Sequence, residues 1–180
     1  KINQNNFCYA GRLNSAKNVT SLCESFLSIS DLNNITLSIA GEGKDKEKLE
    51  SLIMNSKSKN KVKLLGQLTR DSVRKLFVDS NFYISLSKSD GMPIAVLESI
   101  ACGCIPILLN TSPHLELSKL RIKFISITSN NKKDIKNSIL NALNLSETEM
   151  SSIRTNNDTQ MNEFSSIKMF RKYIEYTYIN

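Results

Sequence analysis

Short apolar runs alternate along the chain with longer segments in which apolar residues recur at helical spacing. The runs are rich in β-branched and aromatic residues and do not alternate strictly with polar ones, as expected of strands buried on both faces of a parallel sheet. The pattern predicts an α/β fold, an open parallel sheet of about six strands with helices on both faces. The predicted strands are Phe7 to Ala10, Ile35 to Ala40, Val62 to Leu65, Phe82 to Ser85, Ile105 to Leu109 and Lys123 to Ile127.

The segments between the first strands carry apolar residues on one helical face and are predicted to be crossover helices. Thr69 is expected to cap the third of them, and Ser146 with Glu149 three residues later forms a capping-box pattern further along the chain. The three crossover helices are predicted over Val19 to Ile29, Asp45 to Asn55 and Thr69 to Asp79.

The last part of the chain is expected to be helical, because no strand pattern follows the sixth strand. Lys133 to Leu143 and Ser166 to Ile179 are amphipathic, while Thr155 to Asn162 is polar and predicted to be a loop or frayed turn. We therefore expect residues 1–145 to form the sheet domain and residues 146–180 to pack on it as C-terminal helices.

The length of 180 residues suits one domain, which can bury a core without disulfides or a structural metal. The chain begins at Lys1 with neither an initiator Met nor a signal-peptide pattern, so we interpret it as a segment of a longer polypeptide. No apolar run approaches the roughly 20 residues that a membrane-spanning helix needs.

The net charge of +7 suits an anionic partner, which includes nucleic acid, an anionic membrane surface and phosphate-bearing ligands. The cations are scattered rather than gathered with aromatic residues in one stripe, as Lys57, Lys59, Lys61 and Lys63 illustrate. This distribution favours a solvated surface over nucleic-acid binding.

The cysteines and the single histidine give no support for a metal site. Cys8, Cys23, Cys102 and Cys104 lack paired Cys-x-x-Cys spacing and lie in apolar or helical contexts, so we expect reduced, buried thiols in a cytoplasmic protein. His114 follows Ser112-Pro113 in a predicted loop, where a surface or capping role is expected. We assign no metal and no cofactor.

The loops that follow the strands are the candidate sites, because ligands of open parallel sheets bind beyond the carboxyl ends of the strands. Gly11 and Arg12 end the first strand, and Lys17 follows five residues after Arg12. Two cations therefore flank one polar turn. Taken alone, such a pair is more often simply solvated.

Two further loops are glycine turns. Gly41 and Gly43 permit the close approach of a ligand or of a neighbouring loop. Lys46 stands where a dinucleotide fingerprint has its third glycine, which argues against nicotinamide binding. Leu68 lies in a similar turn after Gly66, and a tight strand-to-helix turn is the plain interpretation of both.

The segment from Ser87 to Gly103 is the most informative of the four. Pro93 favours a helix start at the ligand edge, where free N–H groups and the helix dipole attract phosphate. Glu98 lies on this otherwise apolar helix, so we expect it to be buried with a partner, such as two adjacent hydroxyls of a ligand; an exposed carboxylate is the alternative. From the residues alone, Asp90 is more simply a loop or capping residue.

Together, these loops resemble the C-terminal, Rossmann-like domain of retaining glycosyltransferases of family four, which have the GT-B fold. The resemblance spans roughly Phe7 to Glu116, in the order and spacing of that family. The segments that carry it are Tyr9 to Leu13 with Lys17, Ile39 to Gly43, Val62 to Gly66, Asp90 to Glu98, and Ile105 to Leu108.

The resemblance implies that this chain binds the nucleotide-sugar donor, while the N-terminal, acceptor-binding half of the enzyme lies outside this sequence. By the same resemblance, Arg12 and Lys17 hold the donor diphosphate, Glu98 the ribose hydroxyls and Asp90 the transferred sugar, and these four residues are the predicted catalytic set. The other predicted donor contacts are Gly11, Gly41, Gly43, Leu68, Gly91, Met92, Pro93 and Ile94.

On the frequency of donors in that family, a UDP-sugar is the expected donor. A polysaccharide or lipid-linked glycan at the inner face of the membrane is the expected acceptor, and no metal is expected to be required. The isolated segment is expected to bind nucleotide but to transfer little.

Two positions depart from the family pattern. The first acidic residue is Asp90 rather than Glu, and Thr111 to His114 replace a pair of glycines. An epimerase or phosphorylase of the same fold, or a non-catalytic nucleotide-binding module, are the alternatives.

Overall fold

The computed structural model of the protein describes residues 5–29, 34–88 and 93–164. Within these residues the chain forms one six-stranded sheet of parallel strands, and β1 and β4 lie side by side at its centre. The order across the sheet is β3-β2-β1-β4-β5-β6. The strands are β1 (Asn5–Ala10), β2 (Ile35–Ala40), β3 (Val62–Gly66), β4 (Phe82–Ser85), β5 (Ile105–Leu109) and β6 (Ile125–Ile127).

Helices cover both faces of this sheet, so the predicted fold class is confirmed. The helices are α1 (Val19–Leu27), α2 (Lys46–Met54), α3 (Arg70–Val78), α4 (Ile94–Ala101), α5 (Ser112–Lys119), α6 (Lys132–Leu143) and α7 (Glu147–Phe164). Buried residues of α1, α2 and α6 form the core on one face, and those of α3, α4 and α5 form the core on the other. Helix α7 contacts α4 and β5.

The direction of the crossovers changes between β1 and β4, and this change opens a crevice. The chain runs outward from β1 through β2 to β3, and then returns to β4 on the far side of β1. The loops after β1 and β4 therefore leave the sheet edge in opposite directions, which is where open α/β sheets bind ligands. Below that edge, the ring of Phe7 packs against Phe26 and Phe82, with ring centroids 5.4 Å and 4.9 Å away.

Both helix caps predicted from the sequence are present in the structure. The Thr69 hydroxyl oxygen accepts the Ser72 N–H of α3 at 3.3 Å, as predicted. The capping box ahead of α7 is also confirmed, since the Ser146 N–H donates to Glu149 Oε2 at 2.8 Å and the Glu149 N–H donates back to Ser146 Oγ at 3.3 Å. These bonds satisfy N–H groups that the first turn of a helix leaves without partners.

Three local predictions are wrong. Residues 155–162 form part of α7 rather than a loop, because polar side chains there bond to the chain ahead of β6. The Asn157 side chain accepts the Lys123 N–H and donates to the Lys123 carbonyl oxygen, each at 2.8 Å. The sixth strand begins at Ile125, not Lys123, for the same reason. The predicted helix Ser166 to Ile179 lies outside the described residues.

The third wrong prediction is the surface loop around His114. This residue is fully buried in α5. Pro113 occupies the first turn of that helix, where its missing N–H costs nothing. The helix therefore begins immediately after Thr111 and turns His114 inward, with Nδ1 lying 2.7 Å from the Leu109 carbonyl oxygen.

The thiols are free and mostly buried, as expected. Cys8, Cys23 and Cys104 are buried and Cys102 is half-buried. Burial raises the pKa of Cys23 to about 12, so this thiol stays protonated at neutral pH. Among the described residues, no three His, Cys, Asp or Glu side chains come together as metal ligands would. No helix there is long and apolar enough to cross a membrane.

Candidate functional site

A cavity of about 280 Å³ opens at the carboxyl ends of β1 and β4. It is bounded by the end of β1, the loop that follows it, the end of β4 and the first turn of α4. The lining residues are Tyr9, Ala10, Gly11, Arg12, Lys17, Tyr83, Ser85, Pro93, Ile94, Ala95 and Val96. Five of the residues predicted from the sequence, Gly11, Arg12, Lys17, Pro93 and Ile94, therefore lie around one cavity.

Arg12 and Lys17 supply the positive charge of this cavity. The Arg12 side chain is exposed and makes no hydrogen bond or ion pair within the described part of the chain. The Lys17 ammonium lies 3.3 Å from Ser87 Oγ, beyond the end of β4. Two cations that face one cavity attract an anion, and their charge-assisted hydrogen bonds are stronger than neutral ones.

Two tyrosines hold the loop that carries Arg12. The Tyr9 hydroxyl donates to the Arg12 carbonyl oxygen at 3.0 Å, and the Tyr83 hydroxyl donates to the Ala10 carbonyl oxygen at 3.2 Å. Their rings stack nearly parallel, with centroids 6.4 Å apart. The backbone on both sides of Gly11 is thereby fixed.

Gly41 and Gly43 support the same loop from the side. A Cβ at Gly41 would overlap the Gly11 carbonyl oxygen, and a Cβ at Gly43 would overlap that of Leu13. Backbone bonds join the two loops, from the Gly11 N–H to the Ala40 carbonyl at 3.0 Å and from the Leu13 N–H to the Glu42 carbonyl at 2.9 Å. The structure therefore shows that a neighbouring loop approaches these glycines closely. Their contact with a donor stays a prediction.

The first turn of α4 forms the opposite wall. Pro93 is buried at the N-cap and provides no side-chain cap. Among the described residues, the N–H groups of Ile94 and Ala95 have no partner and are available to a ligand, whereas that of Val96 donates to the Pro93 carbonyl at 3.0 Å. Ile94 is 52% exposed, large for an apolar side chain, because it lies at the mouth of the cavity. Asp90, Gly91 and Met92 lie outside the described residues.

The structure corrects the expectation for Glu98. This residue is exposed, not buried, because it projects from α4 toward α3. It lines a second cavity of about 460 Å³ together with Leu68, Arg70 and Arg74. Within the described part of the chain, its carboxylate has no hydrogen bond or ion pair. Helix α4 thus carries Ile94 into the first cavity and Glu98 into the second.

The family of the chain follows from its sequence. The family described as glycosyl transferases group 1 matches residues 1–159. The chain belongs to this family.

Two proteins named as glycosyltransferases are similar to this chain in sequence. The GtfA subunit of the UDP-N-acetylglucosamine–peptide N-acetylglucosaminyltransferase of Streptococcus agalactiae is 35% identical over 74 residues, which are 41% of this chain and 14% of that protein. An uncharacterized glycosyltransferase of Methanocaldococcus jannaschii is 26% identical over 127 residues, or 71% and 33% of the two chains.

Anabaena HepE, solved in complex with UDP and glucose, has the same fold. Its TM-score is 0.82 at 15% sequence identity, over 97% of this chain and 48% of that one. This chain therefore spans less than half of each of these three proteins.

Sequence reasoning missed several residues that line the two cavities. Tyr9, Tyr83 and Ser85 line the first cavity, and Arg70 and Arg74 line the second. The tyrosines and the serine lie in strands, where the apolar runs had only marked them as strand residues. Their positions at the carboxyl ends of β1 and β4 were the available signal.

Proposed function

We propose that this chain is the donor-binding half of a retaining glycosyltransferase of family four. The observation that carries the proposal is the convergence of Arg12, Lys17 and the first turn of α4 on one cavity at the carboxyl ends of β1 and β4. Such an arrangement, with two cations on one side and backbone N–H groups on the other, suits a diphosphate.

The proposed donor is a UDP-sugar. The Streptococcus relative uses UDP-N-acetylglucosamine by name, and HepE was solved with UDP and glucose, which supports UDP as the nucleotide. In this proposal the diphosphate lies between Arg12, Lys17 and the N–H groups of Ile94 and Ala95. The nucleoside extends along α4, where Glu98 accepts hydrogen bonds from the ribose hydroxyls and Leu68 borders the base.

The proposed mechanism stabilises the leaving group. Breaking the bond between sugar and diphosphate places negative charge on the diphosphate, and Arg12, Lys17 and the dipole of α4 offset that charge. Asp90 is proposed to contact the transferred sugar, with Gly91 and Met92 beside it and Gly41 and Gly43 shaping the opposite loop. This arrangement needs no metal ion.

The acceptor is proposed to bind in a second, N-terminal domain outside this sequence. Residues 1–145 are proposed to form the donor domain and residues 146–180 to complete it as helices. A polysaccharide or lipid-linked glycan at the inner face of the membrane fits the positive net charge, because anionic lipids attract basic surfaces.

Calorimetric titration with UDP, GDP and ADP, each with and without the attached sugar, tests the proposal. The chain should bind UDP most tightly. Arg12→Ala should raise the Kd for UDP about 10- to 100-fold, since a hydrogen bond to a charged group contributes about 1.5–3 kcal/mol.

Lys63→Ala is the control, because it removes the same charge from an exposed position on β3. It should leave the Kd within about twofold of the wild-type value. Failure of all three nucleotides to bind the wild-type chain would overturn the proposal.

A further inference from the structure

Three successive contacts join the turn that carries Lys17 to the segment that follows β4. The Lys88 N–H donates to the Ala16 carbonyl oxygen at 3.0 Å, the Lys17 ammonium lies 3.3 Å from Ser87 Oγ, and the Asn18 side-chain amide donates to the Leu86 carbonyl oxygen at 2.9 Å. The pairs run in antiparallel order, 16 with 88, 17 with 87 and 18 with 86. They bridge loops from two strands, β1 and β4.

Asn18 has the backbone conformation that makes its contact possible. It lies between the 3-10 turn Ser15–Lys17 and α1, in the left-handed region with φ 52° and ψ 29°. Glycine adopts this region most easily, and asparagine is among the few other residues that tolerate it. The backbone alone would therefore accept glycine, and what asparagine adds is the amide that bonds to Leu86.

The segment that accepts this bond is buried, and it also carries Ser87, which contacts Lys17. Leu86 and Ser87 are 1% and 2% exposed, and they continue β4 directly beyond Ser85, which lines the cavity. Lys17 is adjacent to Asn18, and its own backbone N–H is held by Asn14. The Asn18 bond thus fixes the Lys17 turn relative to the β4 side of the cavity.

We propose that Asn18 is a positioning residue that holds Lys17 in place for the donor diphosphate by bonding to the Leu86 carbonyl. The inference rests on the proposed function, because it assigns Asn18 a share in binding the same ligand. Asn18 acts through Lys17 and does not itself touch the donor.

The test compares Asn18→Gly with Asn157→Ala in UDP titrations and thermal unfolding. Asn18→Gly keeps the left-handed backbone and removes only the amide. It should raise the Kd for UDP about fivefold, because Lys17 is then held less firmly beside the diphosphate. It should also lower Tm, because the buried Leu86 carbonyl loses its partner, so the titration is run well below the unfolding temperature.

Asn157→Ala is the matched control, because Asn157 also bonds a backbone segment, but far from the cavity. It should lower Tm and leave the Kd for UDP unchanged when the titration is run well below the unfolding temperature.

A double-mutant cycle separates positioning from a general structural role. If Asn18 acts through Lys17, Asn18→Gly should change the Kd for UDP less than about twofold in a Lys17→Ala background. The inference is overturned if Asn18→Gly binds UDP as the wild type does, or if its effect is undiminished when Lys17 is absent. Loss of UDP, GDP and ADP binding by the wild-type chain would instead overturn the proposed function.

Discussion

Gly41 is the residue at which one methyl group would disturb the site most directly. Its φ of 140° is unfavourable for any other residue, and a Cβ there would overlap the Gly11 carbonyl oxygen. Gly41→Ala must therefore separate the loops that carry Arg12 and Glu42. We expect it to lower the free energy of unfolding by about 2–4 kcal/mol, measured by urea denaturation.

Gly103→Ala is the control for this prediction. Gly103 also has positive φ, at 91°, but nothing lies within 4 Å of the position of its Cβ. Its cost should be the conformational strain alone, about 1–2 kcal/mol. Equal losses for the two variants would show that the contact between the loops contributes nothing beyond φ, and the close-approach explanation would be wrong.

At the scale of elements, α7 depends on its first turn. Glu149 accepts the Ser146 hydroxyl at 2.7 Å and the Ser146 N–H at 2.8 Å, and these bonds lower its pKa from the ordinary value of 4.5. A lowered pKa in the folded state means that the stabilisation is complete above about pH 4.5 and is lost as the pH falls through the folded-state value.

Glu149→Gln should consequently lower Tm at pH 7, and the difference from the wild type should shrink as the solution is acidified below about pH 4.5. Thermal unfolding monitored by circular dichroism from pH 3 to pH 8 measures this. Glu147→Gln serves as the control, since Glu147 lies in the same turn and makes neither bond within the described residues. A constant difference across the pH range would contradict the prediction.

The strands and helices also show which parts of the fold a single sequence can predict. Most strands were predictable because they carry a run of largely apolar residues, and in β5 all five residues are buried. Residues 155–162 were not, because their polar pattern is explained only by Asn157 bonding to Lys123, 34 positions earlier. Local patterning carries no information about such a partner.

In the candidate site, too, some features were predictable from the sequence and others were not. The positions of Arg12, Lys17 and Pro93 at the ligand edge were predictable because each follows or begins a recognisable element. The residues alone favoured solvated cations, and the role of Arg12 and Lys17 came from the family resemblance. The exposure of Glu98 was not predictable, since an apolar helix predicts burial, whereas α4 turns this face toward the space beside α3. The bracing role of Tyr9 required the position of the Arg12 carbonyl, which no spacing supplies.

For the whole molecule, the proposed binding of UDP has two candidate sources of attraction, the net charge of +7 and the two cations of the cavity. Salt distinguishes these, because exposed charges interact over roughly 10 Å at 0.1 M ionic strength. The Kd for UDP should rise severalfold between about 0.05 and 0.5 M sodium chloride, while that of uridine, which lacks the diphosphate, should stay nearly constant.

Removing one positive charge at a time then shows which charges cause the salt dependence of UDP binding. If the local cations dominate, Arg12→Ala should flatten the salt dependence of UDP binding, and Lys63→Ala should leave it unchanged, although each removes one positive charge from the molecule. If the overall field dominates, the two variants should reduce the slope equally. Arg12 is exposed at the cavity and has no partner among the described residues, which favours the first result, because a guanidinium in direct contact with phosphate is a charge-assisted hydrogen-bond donor as well as a distant charge.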